Sequence, residues 1–328
     1  MVVAMKYDNL TEKKQQLDQH RPLPDALVRN LEDWFRVELT FTSNGIEGNT
    51  LTRRETAMVV EKGITVGGKT LVEHLEATNH AQALDWIREQ VQRSPRDIDQ
   101  KDILQIYDLI LKGISDKDAG HYRSVAVRIS GSTVILPNPL KVPDLMGEFI
   151  IWLKQNAKLH PVELAAEAHY RLVTIHPFVD GNGRTARLLM NLILLMSGYP
   201  AAIIRKRDRL VYISSLEKAQ LGGSKEDYLK IISSAVDRSL NIYLKALKGE
   251  SEEPEAEVKL LKIGELAKQV GENNSTIRHW TKEGLLDVAE ITQSNYQLYA
   301  VEMIKRIELI KELKSKRLTL SEIKEKIH

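Results

Sequence analysis

The sequence predicts a mainly α protein: a helical bundle with one β-hairpin against it, followed by a small winged helix-turn-helix domain. Three observations carry this expectation. Apolar residues recur at helical spacing through most of the first 250 residues. One segment instead alternates β-branched residues around a Gly-Ser pair. The character of the chain then changes after an acidic stretch near residue 250. At 328 residues there is room for about two domains, and 42% hydrophobic with 28% charged residues is an ordinary globular balance.

In chain order, "LPDALVRNLEDWFRVELTF" places Leu27, Leu31, Trp34 and Leu39 near a 3.6-residue period, with Pro24 at its start. "SVAVRISGSTVILPNP" alternates Val125, Val127 and Ile129, then Val134 and Ile135, around Gly131-Ser132, the pattern of a β-hairpin. A lone hairpin is marginal, so it has to lean on the bundle. "PVELAAEAHYRLVTI" is a helix with Pro161 in its first turn, and "GRTARLLMNLILLMSGYP" is another, ended by Gly198 and Pro200. The latter is apolar nearly all round and is expected at the centre of the bundle. Expected divisions are an N-terminal helical region over 1–110, a core over 111–246, a linker over 247–258 and the small domain over 259–328. Gly249, Pro254 and four glutamates between Glu252 and Glu257 make that linker.

Bulk properties exclude several classes. A net charge of +2 gives no global field for nucleic acid or an anionic membrane. The chain has no cysteine, which removes disulfides, Fe–S clusters and Cys-bound zinc and fits a reducing cytosol. Its amino terminus has too short an apolar patch for a signal peptide. "LLMNLILLM" is far below the roughly 20 residues of a spanning helix. A soluble cytoplasmic protein with no membrane contact is expected.

The chemistry concentrates in "HPFVDGNGRTAR", His176 to Arg187, at the mouth of the greasy helix. A helix amino terminus presents unpaired N–H groups and partial positive charge, so it is an anion site. Gly181 and Gly183 let the backbone turn tightly and approach a phosphate. Arg184 and Arg187, three apart, can grip phosphate oxygens bidentately, and the Asn182 amide can donate to developing negative charge. Asp180 is an anion in an anion site, and Mg²⁺ shared with phosphate oxygens is a reason for it. His176 can take a proton near neutral pH. Pro177 and Phe178 are expected to be structural, Phe178 as a core anchor.

This stretch matches HPFx(D/E)GNGRxxR, the signature of the Fic family, and the resemblance spans roughly residues 25–245. It implies a helical core with a hairpin flap that aligns a target segment, and AMP transfer from Mg²⁺-ATP to a Ser, Thr or Tyr hydroxyl of a protein. By resemblance His176 is the base, Asp180 holds Mg²⁺, and Gly181, Asn182 and Gly183 stabilise the α- and β-phosphates. Arg184 and Arg187 hold the β- and γ-phosphates, and Tyr212 borders the adenine. Members that use other donors depart from GNGR, so its retention here favours ATP. The resemblance also implies pairing into a homodimer.

"TFTSNGIEGNTLT" resembles the family's inhibitory motif (S/T)xxxE(G/N), with Ser43 and Glu47 in the fixed positions. A carboxylate delivered to Arg187 would occupy the guanidinium meant for the γ-phosphate and repel that phosphate. In some relatives the same glutamate activates water to remove AMP.

Beyond Val258, 13 Lys/Arg stand against 10 Asp/Glu. "LLKIGELAKQVGENNSTIRHWTKEGLL" reads as helix-turn-helix: one helix over Ile263–Gln269, Gly271 at the turn, and a second from Ser275 to Gly284. "ITQSNYQLY" is the expected wing, and "TLSE" a capping box. The stretch resembles the DNA-binding headpiece of MerR-type regulators, which implies that Thr276, Arg278, His279 and Lys282 face DNA. Gln297 stands where that family's wing usually has arginine, and the long dimerisation helix is absent from the sequence. Two functional classes stay open: an autoinhibited transferase, and a DNA-binding regulator whose core senses nucleotide.

Overall fold

The computed structural model describes residues 7–250, 260–291, 296–316 and 318–327. The expected linker therefore lies mostly outside the described residues, as does the tip of the wing. Two compact units form, a larger one of Met1–Lys206 and Val211–Glu252 and a smaller one of Arg207–Leu210 and Glu253–His328.

The larger unit is helical throughout: α1 (Asp8–Asp18), α2 (Asp25–Ile46), α3 (Arg53–Lys62), α4 (Leu71–Glu89), α5 (Gln100–Leu111), α6 (Val142–Gln155), α7 (Pro161–Ile175), α8 (Asn182–Met196), α9 (Arg209–Gln220) and α10 (Glu226–Leu247). Local chemistry sets the starts. Thr52 with Glu55, Thr70 with Glu73, and Asp99 with Asp102 form capping boxes for α3, α4 and α5. Pro161 opens α7, where the imidazole of His160 caps the Val162 N–H. As expected, α8 is central, packing on α7, α5, α4 and α2, and every side chain from Leu188 to Leu194 is buried. The one polar member of that run, Asn191, pairs through both amide atoms with the backbone of Ala202, which removes the cost of burying it. Trp34, expected on the buried stripe of α2, is 39% exposed and leans edge-on against Phe35, which takes the core position instead.

The expected hairpin departs from the sequence reading. Residues 124–137 contain a turn at Gly131, where Ser132 N–H bonds to the Ile129 carbonyl, but no strand pairing. Arg123 explains how the arms are held without a ladder. Its guanidinium donates to the carbonyls of Val125 at 3.0 Å and Pro137 at 2.7 Å, closing the loop at its base. Val127, Ile129, Val134 and Leu136 are half-buried, whereas Val125 is exposed and Ile135 is 94% exposed.

In the smaller unit, β1 (Leu260–Lys262), β2 (Glu290–Ile291) and β3 (Gln297–Ala300) form an antiparallel sheet in the order β1-β3-β2. Helices α11 (Ile263–Val270) and α12 (Asn274–Lys282) are separated by Gly271 in the left-handed region, as the sequence predicts. Helices α13 (Met303–Ser315) and α14 (Leu320–Ile327) follow, and Thr319 with Glu322 forms the expected capping box. Trp280, Ile277, Tyr299 and Ile307 fill its own core.

Candidate functional site

The loop between α7 and α8 is built by two left-handed residues. His176 ends α7 with φ 51°, the one described non-glycine residue with positive φ, and Gly181 caps α8 with φ 73°. Such a conformation is costly for a residue with a side chain and persists where its surroundings enforce it. The enforcement is visible. His176 N–H bonds to the Leu172 carbonyl at 2.9 Å, its carbonyl accepts from Arg123 Nε at 2.8 Å, and Arg123 N–H holds the Pro177 carbonyl. Arg123, 3% exposed, thus fastens the loop between α7 and α8 to the arms of the 124–137 loop, a role no local sequence signal announces.

Phe178 is the anchor expected of it, fully buried and stacked on Tyr107 with ring centroids 3.7 Å apart. Asn182 has a role the sequence reading did not give it. Its amide oxygen accepts from Phe178 N–H and its amide nitrogen donates to the Phe178 carbonyl, both at 2.9 Å. The buried side chain therefore staples the loop through its oxygen and one of its two amide N–H groups. What residues 182–184 can offer an anion is the unpaired backbone N–H groups of a first helical turn.

His176 is half-buried, and burial lowers its proton affinity below the ordinary value of 6.5. Its Nδ1 faces the Val173 carbonyl at 3.3 Å. A proton on Nδ1 leaves Nε2 as the basic nitrogen. Asp180 is open, with 75% of its side chain exposed.

Both arginines are already held by carboxylates. Arg187, 5% exposed, donates from Nε to the Ser43 hydroxyl at 3.0 Å. Its Nη2 donates to the Ser43 carbonyl at 2.9 Å and to Glu47 Oε1 at 2.7 Å. The last turn of α2, where even Thr42, Ser43 and Asn44 are buried, delivers these groups. Gly183 has a second reason to be glycine: a Cβ there would collide with the Glu47 carboxylate and come within 3.0 Å of Arg187 Nη1. Glu47 thus lies on the first turn of α8. Arg184 is 2% exposed and donates from Nη1 to Glu76 of α4 at 2.8 Å and from Nη2 to Asp180 at 3.3 Å. Glu76 sits more than a hundred residues from the loop, beyond the reach of motif reading.

Tyr212 corrects the sequence reading. It is 2% exposed, and its hydroxyl meets Nε2 of the fully buried His169 at 2.7 Å, so it faces the core rather than an adenine. Tyr228 donates to the Ala166 carbonyl at 2.7 Å and also meets His169 Nδ1 at 2.9 Å. Its single proton being used, Tyr228 accepts from Nδ1–H, and His169 Nε2 accepts from Tyr212. Burial raises the Tyr212 phenol to about 12, against the pull of the adjacent Arg187 charge.

His169 and His80 are buried neutral, each pushed down to about 3 by burial first and the Arg187 charge second. In the unfolded chain each titrates near 6.5. Between these values the unfolded state binds protons that the folded state refuses. Stability is therefore whole above about 6.5 and lost as pH falls toward 3, by up to ~1.4 kcal/mol per pH unit for each histidine. Urea unfolding is expected to have a clearly lower midpoint at about pH 5 than at about pH 7.5; equal midpoints contradict the assignment.

On α12, Arg278, His279 and Lys282 are exposed on one face, as the DNA reading requires. Thr276 is engaged instead: its N–H and hydroxyl both donate to the Asn273 cap. In β3, the Gln297 side chain accepts from the Tyr299 hydroxyl at 2.9 Å. No described helix is long and apolar enough to cross a membrane.

Comparison with known proteins agrees with this geometry. Residues 97–194 match the model of the Fic/DOC family, and residues 261–328 match that of the MerR HTH family regulatory protein. A Fic-domain-containing signalling protein of Bacteroides thetaiotaomicron is 31% identical, with a TM-score of 0.68 over 75% of this chain and 100% of its own. Fic-1 of C. elegans, residues 134–508, is 29% identical, with a TM-score of 0.65 over 76% of this chain and 74% of that one. The protein adenylyltransferase Fic of Culex quinquefasciatus is 35% identical over 241 residues, 73% of this chain and 47% of the relative, so the chain spans about half the length of that curated relative. Taken with the loop built on His176 and Gly181, these matches establish that the chain belongs to the Fic/DOC family.

Proposed function

We propose that the chain is a protein adenylyltransferase that moves AMP from ATP to a hydroxyl side chain of a protein, held inactive by Glu47. The observation that carries the reading is the Glu47 carboxylate lying over the first turn of α8 and paired with Arg187. An anion rests where the loop is built to receive one, which supports a phosphate as the natural occupant.

In the reaction, His176 Nε2 takes the proton of the target hydroxyl, whose oxygen attacks the α-phosphorus of ATP. The bond from that phosphorus to the bridging oxygen breaks, and pyrophosphate leaves. The N–H groups at the start of α8 take the charge that develops on the phosphoryl oxygens. Arg187, freed from Glu47, holds the γ-phosphate, and Arg184 the inner phosphates. The exposed 124–137 loop, fastened to His176 through Arg123, presents unpaired backbone to an extended target segment. Among the described residues no cluster of three or more acidic or imidazole ligands could hold a metal alone. A single open carboxylate, Asp180, fits Mg²⁺ that arrives with phosphate oxygens and water as its other ligands. Bound there, Mg²⁺ would neutralise phosphate charge. The relative's name, protein adenylyltransferase Fic, agrees with this activity. Incubation of the protein with Mg²⁺-ATP followed by intact mass measurement tests it. Covalent AMP on the protein, or on a partner in a cell extract, is expected; ATP consumption with no adduct would refute it.

For the smaller unit we propose DNA contact through the exposed α12 face. With Arg278 and Lys282 at phosphates, duplex affinity falls linearly in log–log form with salt, and replacing both by Ala flattens that slope by about 2. Electrophoretic shifts across a salt series decide this, absence of any shift at low salt being the contrary result. Homodimer formation through the Fic core is likewise part of the proposal, and sedimentation velocity measures it.

A further inference from the structure

Glu76 belongs to neither the loop signature nor the Ser43–Glu47 stretch, yet it touches both. Its Oε1 accepts from Arg184 Nη1 at 2.8 Å, and its Oε2 accepts from Asn49 Nδ2 at 2.9 Å, two residues past Glu47. The backbone carbonyl of Glu76 accepts from Asn44 Nδ2 at 3.0 Å. The turn that carries Glu47 is therefore tied at both ends, Asn44 and Asn49, to one residue of α4. Asn49 Oδ1 in turn accepts from Leu51 N–H, and Asn49 N–H donates to the Asn44 carbonyl, so the turn moves as a piece. Arg184 is closed off from solvent, with its Nε buried and without a hydrogen-bond partner among the described residues.

We propose that Glu76 is a positioning residue that couples nucleotide binding at Arg184 to release of Glu47 from Arg187. One carboxylate serves two partners only while both hold their present places. A phosphate that draws Arg184 Nη1 toward itself takes one partner from Glu76. The carboxylate then reorients, Asn49 is left with the Glu73 carbonyl at 3.1 Å alone on α4, and the turn bearing Glu47 loosens. By linkage the effect runs both ways: a turn seated by Glu76 holds Arg184 in its closed position and weakens nucleotide binding. Glu76 thus makes two arginine contacts, on separate turns of α8, open together.

The inference rests on the nucleotide reading of the site, and a double-mutant design separates the two. Glu76→Gln keeps the shape but cannot accept from both partners with full charge. In the wild-type background, AMP incorporation from labelled Mg²⁺-ATP is expected to rise about three- to tenfold, an increment of the size typical of coupling between sites. In the Glu47→Gly background it is expected not to rise, because nothing is left to release. Asn49→Ala, which leaves Arg184 untouched and removes the Asn49 bonds to Glu76, the Glu73 carbonyl and Leu51 N–H, is expected to repeat the pattern and serves if Glu76→Gln does not fold, as judged by thermal unfolding. An unchanged rate for both variants in the wild-type background overturns the coupling. So does an equal factor in both backgrounds, which would mean that Glu76 merely orients Arg184. Should Glu47→Gly itself neither bind Mg²⁺-ATP by calorimetry nor incorporate AMP, the nucleotide reading fails, and that failure is distinct from either of these.

Discussion

Replacing Glu47 by Gly is expected to raise AMP incorporation about ten- to a hundredfold, corresponding to ~1.4–2.8 kcal/mol of relieved competition. The carboxylate is doubly obstructive. It is the charged partner of Arg187 at 2.7 Å, and it fills the space above Gly183 that a phosphate needs. Removing it frees the guanidinium and takes away a like charge that repels the nucleotide. The substitution also leaves a buried cation without its carboxylate, held only by neutral groups such as Ser43 and the Tyr212 hydroxyl. An unpaired buried charge is destabilising, so the variant is expected to unfold at a lower temperature than wild type without nucleotide. Mg²⁺-ATP should then stabilise the variant more than wild type, since a ligand stabilises the state that binds it. Radiolabel transfer from α-labelled ATP and thermal unfolding with and without nucleotide measure both halves. Equal labelling of the two proteins removes Glu47 from the regulatory role.

How much of this was readable from residues alone follows from how local each feature is. The loop over 176–187 was legible because its turn residues, its two arginines and its acid lie within twelve positions, on a helix whose apolar run is unmistakable. Glu47 was legible because it too sits in a short motif. Glu76, Arg123 and His169 have no such signature, and only packing of α4 and α7 against α8, and of the chain before residue 124 against the loop, brings them to the site. Tyr212 departed from its expected place for a related reason. Residue type names a capability, but the neighbours decide whether it is free, and here His169 engages the phenol. The alternation over 125–135 reflects an extended chain that half-buries Val127, Ile129 and Val134, yet no strand ladder forms over these residues. The Arg123 clamp closes the base of that loop in place of ladder bonds.

Replacing His176 by Ala in the Glu47→Gly background is expected to lower AMP transfer by a factor on the order of 10²–10⁴, the usual contribution of a positioned base, while Mg²⁺-ATP still binds. The binding groups sit on α8, and the ring contributes only its Nε2 lone pair to the proton transfer. The left-handed backbone at residue 176 holds for Ala through the same bonds to Leu172 and Arg123, since both use main-chain atoms of residue 176. The pH profile sharpens the assignment. Burial lowers the proton affinity of His176, so the neutral base persists below the ordinary histidine value of 6.5. Transfer by Glu47→Gly should therefore stay level through neutral pH and decline only on an acid limb below 6.5, and the residual rate of the His176→Ala double variant should lack that limb. Single-turnover rates across pH, beside calorimetric nucleotide affinities, test both. A double variant that loses nucleotide binding along with transfer, or one that keeps the acid limb, would move the role of base to another group.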